Sequence, residues 1–327
     1  MKKKKSTVTI VLLSVLILII VFVAALLFGK YPISLEKLLS QDTMAASVFY
    51  TLRLPRALMA LFGGFGLGIA GMVYQTIFRN PLASPDIIGV SSGASAGAAF
   101  AILFLSAAAL PVTISAFLGG FFAVLISLAL SSLAPRKGNY TIVLSGIAVQ
   151  SLCQTFLMIL KTTADPEKEL ASIEYWIMGS LSTITSSKIP VHIVIIVAGS
   201  AAIFFLYRQV LLLSVEDEEA KMLGVPVRQM RLFVILAATL IVAAVISITG
   251  LISFIGLLAP HIAKLLTGKS HLKTLILSGL WGSILLLLAD TLAKNVASGE
   301  LPVSIFTSLL GAPFLLYLLI RRSPHES

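Results

Sequence analysis

Apolar runs of about twenty residues, each closed by charge, glycine or proline, follow one another along this chain from end to end. Such a run crosses a bilayer as one helix, because backbone N–H and C=O groups must be satisfied within the segment where water is missing. The runs fall at 7–28, 55–77, 91–109, 111–134, 140–161, 189–207, 230–249, 251–267, 274–296 and 303–320. They fill most of the 327 residues, so the expectation is an all-α polytopic membrane protein with about ten transmembrane helices. One membrane domain would span 1–327, with no soluble domain beside it. Only 12% of the residues are charged, about half the share found in soluble domains. Lys2 to Lys5 ahead of Val8 to Phe28 imitate a secretory leader. The apolar stretch is about twice as long as a leader's core, so it is read as a retained first span.

The net charge of +10 does not point to nucleic acid, since that role needs a solvated basic surface. The basic residues instead cluster between spans. With the N-terminus inside, Lys2 to Lys5, Arg79, Arg136, Lys137, Arg208, Lys221, Arg228, Arg231, Lys264, Lys269, Lys273, Arg321 and Arg322 are internal. That is 16 of the 24 Lys and Arg, which satisfies the positive-inside rule and places the C-terminus inside as well. Cys153 stands alone, and His192, His261, His271 and His325 are scattered. No metal centre, cofactor site or Ser-His-acid set is expected from them.

Two phosphate-binding patterns fail on context. Gly66-Leu67-Gly68-Ile69-Ala70-Gly71 has the spacing of a dinucleotide fingerprint but lies within a span, where no strand can precede it. Gly64, Gly68 and Gly71 share one helical face instead, as in close packing of membrane helices. Ala263 to Ser270 misses the phosphate-loop pattern at its first position and also follows a membrane helix.

Other stretches survive. The inner connection 208–230 holds Ser214-Val215-Glu216-Asp217-Glu218-Glu219-Ala220-Lys221-Met222-Leu223-Gly224-Val225-Pro226. Ser214 is a suitable N-cap, and the four acids complement the positive end of a helix dipole. Gly224 suits a helix stop and Pro226 the first position of the next helix. Met222, Leu223 and Val225 have no core to enter there, so the segment is either a docking surface or a helical connector lying on the membrane. Asn80, Pro81, Pro85, Gly89, Ser91, Ser92 and Gly93 interrupt the helix pattern between two spans. Irregular backbone at membrane depth must be shielded or border water, so this is a gate or pathway element, or else an elaborate turn. Outside, Arg53, Arg56 and Lys294 run against the charge bias. They face something acidic or snorkel to headgroups. Asp290 lies within a span and is a functional candidate by default, yet Lys294 four residues on allows a same-face ion pair. The outer connection 162–188 carries Tyr175-Trp176, a pair suited to headgroup depth.

Arg53-Leu54-Pro55-Arg56, Gln75 with Asn80 to Gly93, Gly250 with Phe254 to His261, and Glu300-Leu301-Pro302 with Leu310 to Pro313 resemble the iron-siderophore, haem and vitamin B12 permease family. The similarity extends from about Leu35 to Arg321. It implies a type II ATP-binding-cassette importer fold like that of the vitamin B12 permease, in the bacterial cytoplasmic membrane. The resemblance further implies a second permease copy or a paralogue, and two cytoplasmic ATPase subunits docked on 214–226. ATP and magnesium would then be bound by those partners and not by this chain. An external binding protein would meet Arg53, Arg56 and Lys294, the last being Arg in the vitamin B12 permease and so a weaker carboxylate partner here. The implied activity is alternating access for an iron chelate, a ferric siderophore ahead of haem or cobalamin. A proton-coupled carrier using Asp290 is the alternative of a different class.

Overall fold

The computed structural model describes residues 7–31, 43–135, 138–268, 272–297 and 299–321. Lys2 to Lys5, Leu35, Arg136, Lys137, Lys269, Ser270, His271, Arg322 and His325 lie outside the described residues.

The described chain is helical, with no strand among the described residues. Helix α1 is Thr7–Leu27, and a short α2 (Thr43–Ser47) runs through the π-helical Val48–Arg53 into α3 (Leu54–Ile77). Then come α4 (Val90–Phe104), α5 (Ala109–Leu133), α6 (Asn139–Thr163), the short α7 (Ala171–Met178) and α8 (Ile189–Phe205). Tyr207–Leu212 (α9) and Asp217–Met222 (α10) form the 208–230 connection. The chain ends with α11 (Val227–Thr249), α12 (Ile255–Thr267), α13 (Leu272–Asn295) and α14 (Val303–Arg321). Among the described residues, six helical stretches are long and apolar enough to cross a membrane: α1, 43–77, α5, α6, α11 and α13. Helices α4, α8, α12 and α14 are shorter apolar helices.

The positions of the small residues explain the packing. Helix α3 is the hub, with α13, α12, α11 and α8 around it. Its Gly64 and Gly68 lie directly on α13, and Gly71 lies on the start of α12. A Cβ on Gly64 would sit 2.5 Å from the Gly282 carbonyl oxygen, and one on Gly68 would overlap the Ser278 carbonyl. With the backbones this close, Ser278 Oγ donates to Gly68 O at 2.6 Å and Ser283 Oγ to Leu61 O at 2.7 Å. Without a hydrophobic drive between helices in lipid, such close contact and interhelical bonding supply the attraction. A second group, α4–α5–α6, leans on the hub through α11.

The 13 residues of α12 rise only about 20 Å, too little for a bilayer core. The missing length is made up by Gly250 to Phe254; sequence periodicity assigned 251–254 to the span, and the structure leaves them outside the helix. Gly250 and Phe254 both take positive φ, 70° and 66°. The break is shielded because Gly250 packs on the Trp176 carbonyl and Gly179 on the Leu251 carbonyl. Ser180 N donates to Thr249 O at 2.7 Å, and Val303 N to Gly179 O at 3.0 Å.

Candidate functional site

The connection between α8 and α11 projects from one end of the bundle. Ser214 is not the N-cap; its hydroxyl donates back to Leu211 O at 2.6 Å and closes the preceding turn. Glu216 takes the N-cap position of α10 instead, without a side-chain cap bond. Pro226 stands just before α11 as its N-cap, and Val227 is the first helical residue. The difference is one of register, since two consecutive turns, each closed by its own backbone bonds, compete for the same few residues. Asp217 is the anchor of the segment. Its Oδ1 accepts from Arg79 Nη2 at 2.8 Å and from Arg231 Nη2 at 2.7 Å, so α10 is tied to the end of α3 and to α11 together. The Arg231 hydrogen bond, helped by the charges of Arg231 and Arg79, holds the Asp217 carboxyl below its ordinary range against partial burial. Ala220 and Val225 are buried beneath the turn, whereas Met222 and Leu223 stand out, 82% and 58% exposed. Gly224, at φ 80°, lets the chain reverse there with open space around it. Glu218 pairs with Lys221 at 2.8 Å, Glu216 and Glu219 are exposed, and Pro226 is exposed beside them.

The segment that follows Arg79 is irregular, as its prolines require, and it is packed in part, with Asn80, Leu82 and Asp86 exposed. Arg79 itself takes φ 50°. Asn80 N donates to Gln75 O at 3.2 Å, and Asn80 Oδ1 accepts from Leu82 N at 2.9 Å. Pro81 is half-buried, and Pro85–Ile88 forms a 3-10 turn closed by Gly89 at φ 87°. Ser127 Oγ donates to Ile88 O at 3.1 Å, and Gly146 of α6 lies against the Ile87 carbonyl. Ser91 donates to Asp86, Ser92 is half-buried on the first turn of α4, and Gly93 packs on the Gly119 carbonyl. The Arg79–Asp217 pair therefore connects the projecting tip directly to this shielded break.

At the opposite end, the three basic residues turn inward. Arg53, Arg56 and Lys294 are only 6–7% exposed. Arg56 Nε donates to Asp290 Oδ1 at 2.7 Å and its Nη1 to Glu300 Oε2 at 2.8 Å. Lys294 Nζ lies 3.4 Å from Asp290 Oδ2 and donates to Ala25 O at 2.9 Å. Arg53 donates to Leu26 O and Leu27 O at 2.9 Å, and to Tyr31 O. These cations meet the carbonyls at the C-terminus of α1, where a helix has unpaired acceptors and a negative dipole end. In this conformation Arg53, Arg56 and Lys294 clasp α1 to α3 and α13. Sequence spacing found the Asp290–Lys294 pair but not Arg56, which arrives from 234 residues away.

Two features were missed by the reading of the sequence. A cavity of about 730 Å³ opens at the clasp end, lined by Tyr175, Trp176, Ser180, Thr183, Thr249 and Lys188 among others. Tyr175 and Trp176 thus border a cavity. Further, α6 leaves Ser151, Gln154 and Thr155 exposed on one face. A glutamine at mid-helix is costly beside lipid and belongs against protein or water. Period-3.6 counting of the α6 polar residues would have exposed that stripe. Among the described residues no group of His, Cys, Asp and Glu could hold a metal ion.

An all-helical bundle with two backbone breaks and a tethered, projecting apolar turn suits a membrane transport subunit. The comparisons say which kind. The sequence matches the FecCD transport family over residues 17–321. It is 34% identical over 317 residues to the molybdate import system permease protein MolB of Haemophilus influenzae, covering 93% of this chain and 94% of that protein. It is 36% identical over 314 residues to an iron chelatin transport system permease protein of Helicobacter pylori, covering 91% and 94%. A solved metal-chelate type ABC transporter in an inward-facing conformation superposes with a TM-score of 0.89 at 34% identity, over 96% of this chain and 99% of that one. The chain belongs to the FecCD transport family and is the polytopic membrane permease of an ABC importer.

Proposed function

We propose that this permease carries an iron chelate, a ferric siderophore in the first place, across the bacterial cytoplasmic membrane by alternating access. Both termini would be cytoplasmic. A second copy or paralogue would face the polar stripe of α6, and two ATPase subunits would dock at the α10 end. An external binding protein would cover the mouth of the cavity at the clasp end.

One observation supports this reading above the others, namely the way the apolar tip Met222–Leu223 is mounted. Exposed apolar side chains at a helix end on a polar segment suit a groove on a soluble partner. Asp217 joins that tip to Arg79, and Arg79 leads into the break at 80–93. A push on the tip therefore reaches a non-helical element able to change shape within the bundle. The chain needs no chemistry of its own, because ATP and magnesium belong to the partner. Asp290, held between Arg56 and Lys294, is poorly placed as a carrier's proton site.

A molybdate cargo is the second reading, since a relative matched over nearly its full length is named for molybdate import. Haem and cobalamin come next. The test is uptake in cells lacking this gene, with and without complementation, using radiolabelled iron as a siderophore panel and as haem, and labelled molybdate. Loss of one ferric chelate, restored by the gene, supports the proposal. Unchanged iron uptake with lost molybdate uptake refutes it.

A further inference from the structure

The geometry points to a binding site for one anionic phospholipid in the groove between α5, α6 and α11, at the α10 end of the bundle. This inference rests on the membrane-spanning fold and not on the cargo. The groove encloses about 560 Å³. Its walls are apolar, with Leu125, Leu128, Leu232 and Ile235. Its rim is charged, with Lys221, Arg228 and Arg231 and the single carboxylate of Asp217.

The rim cations are not used up by the protein. Arg231 is only 7% exposed, yet its Nε has no hydrogen-bond partner, while Nη2 is spent on Asp217 at 2.7 Å. A buried guanidinium N–H left unmade is costly, and Arg231 lines the groove. Arg228 is exposed, and Lys221 is held only by an exposed pair with Glu218, which contributes little. Counting Asp217 and Glu218 against the three cations leaves the rim at +1. The hydroxyls of Ser131 and Ser132 donate to Leu128 O and Ala129 O in their own helix, so the cations alone are left to donate to a ligand.

An apolar trough that ends in basic groups with N–H donors to spare matches an acyl chain that ends in a phosphate. Basic pockets between membrane helices recognise anionic headgroups for this reason. The flanking surface is apolar as well, with Leu130, Leu133, Leu232 and Phe233 exposed, so a lipid can enter from the side. A headgroup bound there would touch Arg231, the partner of Asp217, and thereby bear on the mounting of α10.

Native mass spectrometry of the full-length chain, purified with its co-purifying subunits, tests this with phosphatidylglycerol and phosphatidylcholine of identical acyl chains. Phosphatidylglycerol should be retained selectively. Retention should fall about fivefold for each basic side chain removed, hence roughly thirtyfold in K221Q/R228Q. The charge-conserving K221R/R228K should keep it, and both variants alter exposed side chains only. Equal retention of the two lipids would overturn the proposal, as would unchanged retention in K221Q/R228Q. Displacement by glycerol phosphate would assign the site to a soluble phosphate, and selective binding lost in the assembled complex would show protein covering the groove. Either result overturns it too.

Discussion

Replacing Asp290 by Ala removes the anion at the centre of the clasp. The side chain of Asp290 is fully buried, and Arg56 and Lys294 approach its two oxygens at 2.7 and 3.4 Å. After the change, Arg56 keeps one carboxylate, that of Glu300, whose side chain is 37% exposed, and Lys294 keeps only the Ala25 carbonyl. Breaking a buried ion pair from one side costs about 3–5 kcal/mol, because a charge is left buried without compensation. Arg56 and Lys294 each lose a carboxylate contact here, so the upper half of that range is expected. For a chain of this size about 2 °C is lost per kcal/mol, which gives a fall of roughly 8–10 °C. The assay is the fraction of monodisperse protein left after heating in detergent, read by fluorescence-detected size exclusion. The double variant Asp290→Ala with Lys294→Met removes one stranded cation and should recover part of the loss. An Asp290→Ala protein that melts like the parent, yet takes up cargo without its former dependence on the proton gradient, would refute the clasp and make Asp290 a proton site.

Three further outcomes follow from the same geometry. Gly68→Val drives a branched side chain into the Ser278 carbonyl and should cost more than about 3 kcal/mol, seen as loss of monodisperse protein; Gly138→Ala, with open space around it, is the neutral control. Asp217→Asn should leave the fold intact but lower transport per ATP hydrolysed severalfold in proteoliposomes. The Asp217 carboxyl is held below its ordinary value of about 4, so its contribution is complete above that value and is lost only as pH falls through the lower folded value. Transport per ATP should therefore not change between pH 6 and 8 on its account. Met222→Asp with Leu223→Asp should abolish co-purification of the ATPase, and an unchanged yield of that subunit would exclude the tip as its docking point.

The sequence by itself determined the membrane class, the helical character and the packing face of α3. Each of these depends on properties that repeat locally: about twenty apolar residues for a span, and small residues at helical spacing for close contact. The Asp290–Lys294 pair was legible for the same reason, because four residues is one turn. What only the tertiary structure decided depends on groups distant along the chain. Arg53, Arg56 and Lys294 read as an outward basic face until Asp290, Glu300 and the last carbonyls of α1 are brought beside them. Asp217 was one acid among four until the fold set Arg79 and Arg231 on its two sides. Most of the break at 250–254 read as helix because its residues are largely apolar, and it is sheltered by Trp176 and Gly179. Hydropathy records the cost of leaving water; which charges meet once water is gone is settled by contacts hundreds of residues apart.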